Sequence, residues 1–208
     1  MRYHTFKSSR TRNLIIADSQ CRNLIFPNFN ILSLPGAQIS HAYKFLPAKG
    51  RYNLITLFIG GNDLFDGIDN SSREPIEVAE DIAKLASKLL SLANFVYVLG
   101  IPPRGENDEN TKKKAKTTND LIQVERKKQG KKNKQWEYRG VSNKIYTVKH
   151  LGKDLTHLEG KGLGGLCTIL KKRILEHHNL FSEEVNRRGH LELFECSGTC
   201  TCGSFNLD

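Results

Sequence analysis

The sequence has no long run of apolar residues. No stretch approaches the roughly 20 residues that a helix needs to cross a bilayer, so we expect no membrane span. The basic N-terminal segment MRYHTFKSSRTRN also lacks the apolar core of a secretory signal, so we expect an intracellular protein, either cytoplasmic or nuclear. In that reducing environment the five cysteines should mostly be free thiols.

Acidic residues are scarce in one segment, and that segment carries most of the net charge of +10. Between Lys112 and Lys134 there are ten lysine or arginine residues and only two acidic ones. This basic insert, about residues 104–136, is typical of a surface patch for RNA or another polyanion, although a solvated lysine-rich helix face gives the same pattern. Aromatic residues that could stack on bases are few nearby, namely Trp136 and Tyr138. The lysines assigned to nucleic-acid binding, which also resemble a nuclear targeting signal, are Lys127, Lys128, Lys131 and Lys132.

Strands alternate with helices along most of the chain. Continuous apolar runs that end at glycine or proline predict buried strands, and apolar residues three or four positions apart predict helices. This alternation favours an α/β fold with a parallel sheet and helices on both faces. We expect one domain over residues 1–180, with the basic insert on its surface and contributing little to the core, and a C-terminal tail over 181–208. Strands are predicted at about 13–17, 29–34, 52–59, 95–99 and, within 137–148, at 144–148; helices are predicted at about 37–45, 72–93, 112–128 and 161–178.

Residues suited to catalysis follow several of these strands. In a parallel sheet, ligands bind at the carboxyl ends of the strands, so these residues should meet at one edge. Each also has an ordinary interpretation: Ser19 or Asp154 could cap a helix, the glycines could form turns, and His157 could lie on the surface. The four segments are Asp18-Ser19, Gly36, Gly60-Gly61-Asn62-Asp63 and Asp154-Leu155-Thr156-His157.

Taken together, the four segments contain the groups that ester hydrolysis needs. Ser19 would be the nucleophile, His157 the base that takes its proton, and Asp154 the group that orients the histidine ring. The three-residue spacing between Asp154 and His157 lets the carboxylate reach the ring across one turn. The backbone N–H groups of Ser19 and Gly36 and the side-chain amide of Asn62 would stabilise the oxyanion. Glycine at position 36 would allow close approach of the substrate carbonyl.

The same four segments, in the same order, resemble the sequence blocks of the SGNH (GDSL-type) hydrolases over about residues 12–178. The resemblance implies a three-layer α/β/α sandwich with a parallel, flavodoxin-like sheet. It also implies esterase, lipase or O-deacylase activity on an ester substrate without a cofactor, with the roles given above for the five residues. One departure is Ala17, which stands where the family has glycine on the strand side of the nucleophile.

The missing secretory signal and the basic insert resemble the intracellular esterase domains of some retrotransposon-encoded proteins. The complete set of catalytic residues favours a serine esterase. The alternative is an RNA-binding module on the same fold, in which catalysis is secondary or vestigial.

The tail contains three of the five cysteines, and we expect Cys196, Cys200 and Cys202 to lie close together. With His190 they could bind zinc, but their spacing is not that of a standard zinc finger. Unpaired thiols are the simpler interpretation, so no metal is expected.

Overall fold

The computed structural model describes residues 13–21, 24, 29–46, 52–65, 73–104, 109–129, 136–140, 157 and 159–172. All structural statements below concern these residues. Several predicted features lie outside them: Asp154, Lys131, Lys132, the strand at 144–148, and the tail with His190, Cys196, Cys200 and Cys202.

Within the described ranges, five parallel strands form a single sheet. They are β1 (Asn13–Ala17), β2 (Asn30–Ser33), β3 (Tyr52–Phe58), β4 (Ala93–Leu99) and β5 (Glu137–Arg139). Their order across the sheet is β2-β1-β3-β4-β5, with Ile16 of β1 pairing with Leu32 on one side and Leu57 on the other. The carboxyl halves of the three inner strands are buried, whereas the edge strands are partly exposed. This strand order is flavodoxin-like, so the predicted fold class is confirmed.

Four of the five described helices lie between consecutive strands, and the last helix follows β5. The helices are α1 (Ile39–Lys44), α2 (Gly61–Leu64), α3 (Pro75–Leu89), α4 (Glu109–Lys128) and α5, which covers residues 161–172. α3 begins with Pro75 at its first position, where the missing N–H costs no hydrogen bond. It ends at Leu89, before the predicted helix end at 93, and Ala93 already belongs to β4. α2 is a single turn, which is too short for a helical period to predict. None of the helices in the described part of the chain is long and apolar enough to cross a membrane.

The helices form one layer on each face of the sheet, which gives the predicted three-layer α/β/α sandwich. On one face, Ile16 belongs to a core shared with α1, α3 and α4. On the other face, Ile15 and Phe58 pack with Leu166 and Leu170 of α5. Because alternate residues of a strand point to opposite faces, β1 contributes to both cores. Each fully buried side chain of this kind stabilises the fold by about 1.5–3 kcal/mol.

The basic insert contributes to the core, so the expectation that it adds little is wrong. α4 packs against α3, and its residues Ala115, Thr118 and Ile122 are buried. Trp136 is fully buried, and β5 follows it directly and pairs with β4. Three small or apolar residues at helical spacing are enough to seat a helix whose other positions are mostly charged or polar. The insert is therefore an ordinary crossover between two strands with a charged outer face.

Candidate active site

The chain turns sharply where β1 ends, and this turn presents Ser19. The sheet hydrogen bonding continues through Asp18, whose N–H donates to the Phe58 carbonyl at 3.1 Å. Asp18 Oδ1 then accepts the Gln20 N–H at 3.0 Å, which closes an Asx turn into a short 3₁₀ turn. Asp18 and Gln20 are buried, whereas Ser19 is partly exposed. Ala17 is fully buried in the core that faces α5, so its methyl group is accommodated where the family has glycine.

His157 lies against Ser19. Its Nε2 is 2.6 Å from Ser19 Oγ, although the two residues are 138 positions apart in the sequence. A neutral imidazole accepts a proton at one nitrogen while the other carries its own, so Nε2 can take the serine proton when Nδ1 is the protonated nitrogen. Asp154, predicted to hold that Nδ1, lies outside the described residues, and its role stays a prediction. The short contact makes Ser19 a candidate nucleophile rather than a helix cap.

Gly36 lies in the loop after β2 and has a left-handed φ of 71°. That backbone conformation favours glycine over any residue with a side chain. A Cβ added at Gly36 would meet no atom within 4 Å, so the space in front of it is open. Glycine is therefore needed here for the backbone conformation, and the predicted role of its N–H in an oxyanion hole stays a prediction.

The turn after β3 is hydrogen-bonded to the loop that carries Gly36. Asn62 Nδ2 donates to the Ala37 carbonyl at 2.9 Å, and the Ile39 N–H donates to Asp63 Oδ2 at 2.9 Å. Both side chains are buried. These two bonds fix the two predicted oxyanion donors, Gly36 and Asn62, relative to each other. The role of Asp63 as an anchor for the first turn of α1 is not apparent from the sequence.

A further charged residue reaches the site from the end of β4. Arg104 follows Pro102-Pro103, and its Nη2 donates to Asn62 Oδ1 at 2.6 Å. Its guanidinium lies over the Phe65 ring, 5.5 Å from the ring centroid. Sequence reasoning does not single out Arg104, because one arginine after a proline pair belongs to no recognisable motif. Its place at the carboxyl end of a buried strand is the signal that could have found it.

Asp18 is the buried charge of the site. Burial raises the pKa of its carboxyl from 3.8 to about 6, and the Gln20 N–H and the nearby Arg104 and His157 side chains offset part of that effect. With a pKa near 6 the carboxyl is mostly ionised at neutral pH. Its negative charge then lies close to the Arg104 and His157 side chains, whose attraction favours the ionised carboxyl.

Solved structures share the fold of this chain, whereas no known family profile and no curated protein matches its sequence. A protein from Streptococcus pneumonia, assigned provisionally as a platelet activating factor, superposes with a TM-score of 0.63 and 19% identity over 80% of this chain and 85% of that one. A catalytic mutant of the acetylxylan esterase Axe2 from Geobacillus stearothermophilus superposes with a TM-score of 0.60 and 10% identity over 81% of this chain and 95% of that one. A GDSL-like lipase from Bacteroides thetaiotaomicron superposes with a TM-score of 0.60 and 14% identity over 79% of this chain and 88% of that one.

The likeness to GDSL-like lipases and acetylxylan esterases, together with the parallel five-stranded sheet, decides the architecture. The chain has the SGNH hydrolase fold. At 10–19% identity this likeness concerns the fold, so the activity has to be argued from the site. The candidate residues Ser19, Gly36 and Asn62 follow β1, β2 and β3 on the edge where open α/β sheets bind ligands. Arg104 reaches the same edge after β4, and His157 contacts Ser19 there.

The other predicted functional residues are placed only in part. Lys127 and Lys128 are exposed in the last turn of α4, and Lys128 forms an ion pair with Glu125. Within the described ranges, no group of three His, Cys, Asp or Glu side chains could hold a metal ion. The two described cysteines, Cys21 and Cys167, are both buried.

Proposed function

We propose that this protein is a serine ester hydrolase, or O-deacylase, with Ser19 as its nucleophile. The observation that carries the proposal is the 2.6 Å contact between Ser19 Oγ and His157 Nε2. This contact supplies, at a partly exposed position on the carboxyl edge of the sheet, the nucleophile and base that acyl transfer requires. The SGNH fold, shared with lipases and acetylxylan esterases, agrees with the assignment.

The proposed reaction follows from the positions of these atoms. His157 Nε2 takes the proton of Ser19 Oγ as that oxygen attacks the ester carbonyl, a C–O bond forms, and the carbonyl oxygen becomes an oxyanion. The intermediate collapses when the bond to the alcohol breaks and His157 gives its proton to the departing alcohol. A water molecule, deprotonated by His157, then attacks the carbonyl carbon of the acyl-enzyme. The bond from that carbon to Ser19 Oγ breaks, His157 returns its proton to Oγ, and the acid is released. Asp154 is proposed to hold the Nδ1–H of His157, so that Nε2 stays unprotonated.

The proposed oxyanion hole consists of the backbone N–H groups of Ser19 and Gly36 and the side-chain amide of Asn62. Support comes from the hydrogen bonds between Asn62 and Ala37 and between Asp63 and the first turn of α1, because they hold the two donor loops together. Donors fixed before the reaction stabilise the transition state without rearranging during it. Removing one such donor typically lowers kcat by about 10²–10³.

Short acyl esters are the proposed substrate class. Support comes from the neighbours named as acetylxylan and acetyl-xylooligosaccharide esterases, whose names specify the acetyl group. The open space in front of Gly36 is consistent with an ester carbonyl approaching that loop. p-Nitrophenyl acetate is therefore the substrate for the first assay.

Active-site labelling and ester hydrolysis together test the proposal. The wild type should react covalently with a fluorophosphonate probe and hydrolyse p-nitrophenyl acetate. Ser19→Ala removes the attacking oxygen, so labelling should disappear and kcat should fall by about 10³–10⁶, with His157→Ala falling to a similar level because the residues act as a unit. Ser91→Ala is the matched control, since Ser91 is an exposed serine bonded to the Lys88 carbonyl, and it should behave as wild type. Unchanged labelling or hydrolysis in Ser19→Ala would refute the assignment.

RNA binding by α4 is a second proposed function, supported by the charge of that helix. α4 contains seven lysine or arginine residues and three acidic ones, and most of its lysine and arginine side chains are exposed or partly exposed.

Replacing the four assigned lysines with glutamine should weaken binding of a single-stranded RNA and flatten the slope of log affinity against log salt. Fluorescence anisotropy over a salt series measures both, and Ser19→Ala should bind RNA as wild type. Absence of binding at low salt, or affinity unchanged by the replacement, would refute this function. The replaced residues are Lys127, Lys128, Lys131 and Lys132.

A further inference from the structure

The side-chain amide of Asn62 is hydrogen-bonded on both sides. Nδ2 donates to the Ala37 carbonyl at 2.9 Å, and Oδ1 accepts from Arg104 Nη2 at 2.6 Å. These partners set the orientation of the amide, because a carbonyl only accepts and a guanidinium only donates. With its oxygen and nitrogen exchanged, the amide would present the wrong group to both partners. An amide nitrogen carries two hydrogens, so Nδ2 has a second one to donate.

The contact between Arg104 and Asn62 is charge-assisted and lies largely inside the protein. Asn62 is 7% exposed, and burial lowers the pKa of Arg104, an effect that the charge of Asp18 partly offsets. Arginine nevertheless stays protonated at any pH a protein experiences. A positive charge at Oδ1 draws electron density from the amide and makes its N–H a stronger donor. The stronger donor stabilises an oxyanion more than a neutral carbonyl, because the attraction grows with the charge on the acceptor.

Arg104 is itself fixed from several sides. The Thr111 hydroxyl donates to its backbone carbonyl at 2.5 Å, and the Phe65 ring lies against its guanidinium. A Cβ added at Gly61 would lie 3.4 Å from both Arg104 Nη2 and Asp18 Oδ2. The guanidinium and the buried carboxylate therefore both lie beside Gly61. A side chain held in this way can orient a neighbour, because its own position is already determined.

We propose that Arg104 is a positioning residue of the oxyanion hole. Through Oδ1 it holds the Asn62 amide and strengthens its donation to the oxyanion that forms when Ser19 attacks the ester. This inference rests on the proposed function. Since Arg104 acts through Asn62 and not on the substrate, its loss should lower kcat and leave KM nearly unchanged.

A double-mutant cycle with p-nitrophenyl acetate tests this coupling. Arg104→Met removes the charge and the donors but keeps the aliphatic length, and it should lower kcat by about 10- to 100-fold, no more than the loss of a whole oxyanion donor. KM should change by less than about threefold, and Arg104→Lys, which keeps a charge and a donor, should recover part of kcat. In an Asn62→Ala background, Arg104→Met should lower kcat by less than about twofold, because the amide on which it acts is gone. Arg126→Met, which removes an arginine from α4, is the matched control and should keep the wild-type kcat.

The outcomes separate this inference from the proposed function. An active wild type in which Arg104→Met causes the same loss in both backgrounds would overturn the inference alone. A raised KM at unchanged kcat would also overturn it, since it would indicate that Arg104 contacts the substrate. An inactive wild type whose Ser19 does not react with the fluorophosphonate would refute the proposed function and the inference with it. Should circular dichroism show that Arg104→Met does not fold, Arg104→Lys in both backgrounds provides the same cycle.

Discussion

The buried carboxyl group of Asp18 should make the protein less stable at neutral pH than it would be with a neutral side chain at this position. Asp18 is 3% exposed, and its Oδ1 accepts the Gln20 N–H. Because burial raises its pKa from 3.8 to about 6, the folded protein binds the Asp18 proton more tightly than the unfolded chain does. Asp18 therefore makes its full contribution to the free energy of unfolding below pH 3.8, where its carboxyl is protonated. That contribution is lost as the pH rises through 6.

The difference between the two pKa values sets the size of the effect. At about 1.4 kcal/mol for each pKa unit, a difference of about two units corresponds to about 3 kcal/mol of unfolding free energy lost by pH 8. Asparagine is neutral at every pH, has nearly the same shape, and can still accept the Gln20 N–H through Oδ1. For a protein of this size, about 3 kcal/mol corresponds to a rise in Tm of roughly 6–12 °C.

Thermal melting of the wild type and Asp18→Asn at pH 4, 6 and 8 measures this effect. The variant should melt well above the wild type at pH 8, by a smaller margin at pH 6, and at nearly the same temperature at pH 4. Asp120→Asn is the control, because this exposed carboxylate pairs with Lys116 on the surface of α4 and contributes under about 1 kcal/mol at any pH. A variant that melts at or below the wild type at pH 8, or a difference that does not vary with pH, would refute the reasoning.

Three further predictions concern packing and thiol reactivity. In urea denaturation, Ile122→Ala should lower the free energy of unfolding by about 2–5 kcal/mol because Ile122 is fully buried. Lys127→Gln on the same helix should lower it by less than about 0.5 kcal/mol. Equal effects would contradict the packing of α4. Gly60→Ala should lower the free energy of unfolding by more than about 1 kcal/mol in the same titration. Gly60 has a φ of 114°, and its new Cβ would lie 2.9 Å from Ile82 Cδ1. An unchanged urea midpoint would contradict this prediction. Cys21 should react slowly with a thiol reagent in the native protein and quickly in urea, since burial raises the pKa of its thiol well above the ordinary value; fast native labelling would show that it is accessible.

The sheet is predictable from the sequence because its inner strands are buried on both faces. Tyr52–Phe58 is part of a mostly apolar run that ends at two glycines, a pattern typical of a central parallel strand. The alternation of strands with helices requires crossover connections, and these make the strands parallel. The carboxyl ends of the strands then fall on one edge, where the structure brings Ser19 and His157 together. Signals of this kind are local, so they are visible before the fold is known.

The features that the sequence does not reveal depend on contacts between distant segments. The buried stripe of α4 consists of Ala115, Thr118 and Ile122, and the lysines around it obscure so small an apolar face. Arg104 reaches Asn62, which lies 42 positions earlier, because β3 and β4 are neighbours in the sheet. No periodicity or motif encodes such a pair, since each residue alone is ordinary for the turn in which it lies.

The geometry of the site and the stability of the fold depend on the same hydrogen bonds. Asn62 and Asp63 join the turn after β3 to the loop after β2, and Arg104 joins the end of β4 to the same turn. The arrangement of the proposed oxyanion donors therefore depends on several segments of the sheet edge and not on one loop. Burial raises the pKa of both Asp18 and Asp63, so each carboxyl contributes less to stability when it is ionised than when it is protonated. Functional sites often contain residues that reduce stability. The buried carboxyls of Asp18 and Asp63 at this edge of the sheet agree with the site proposed there.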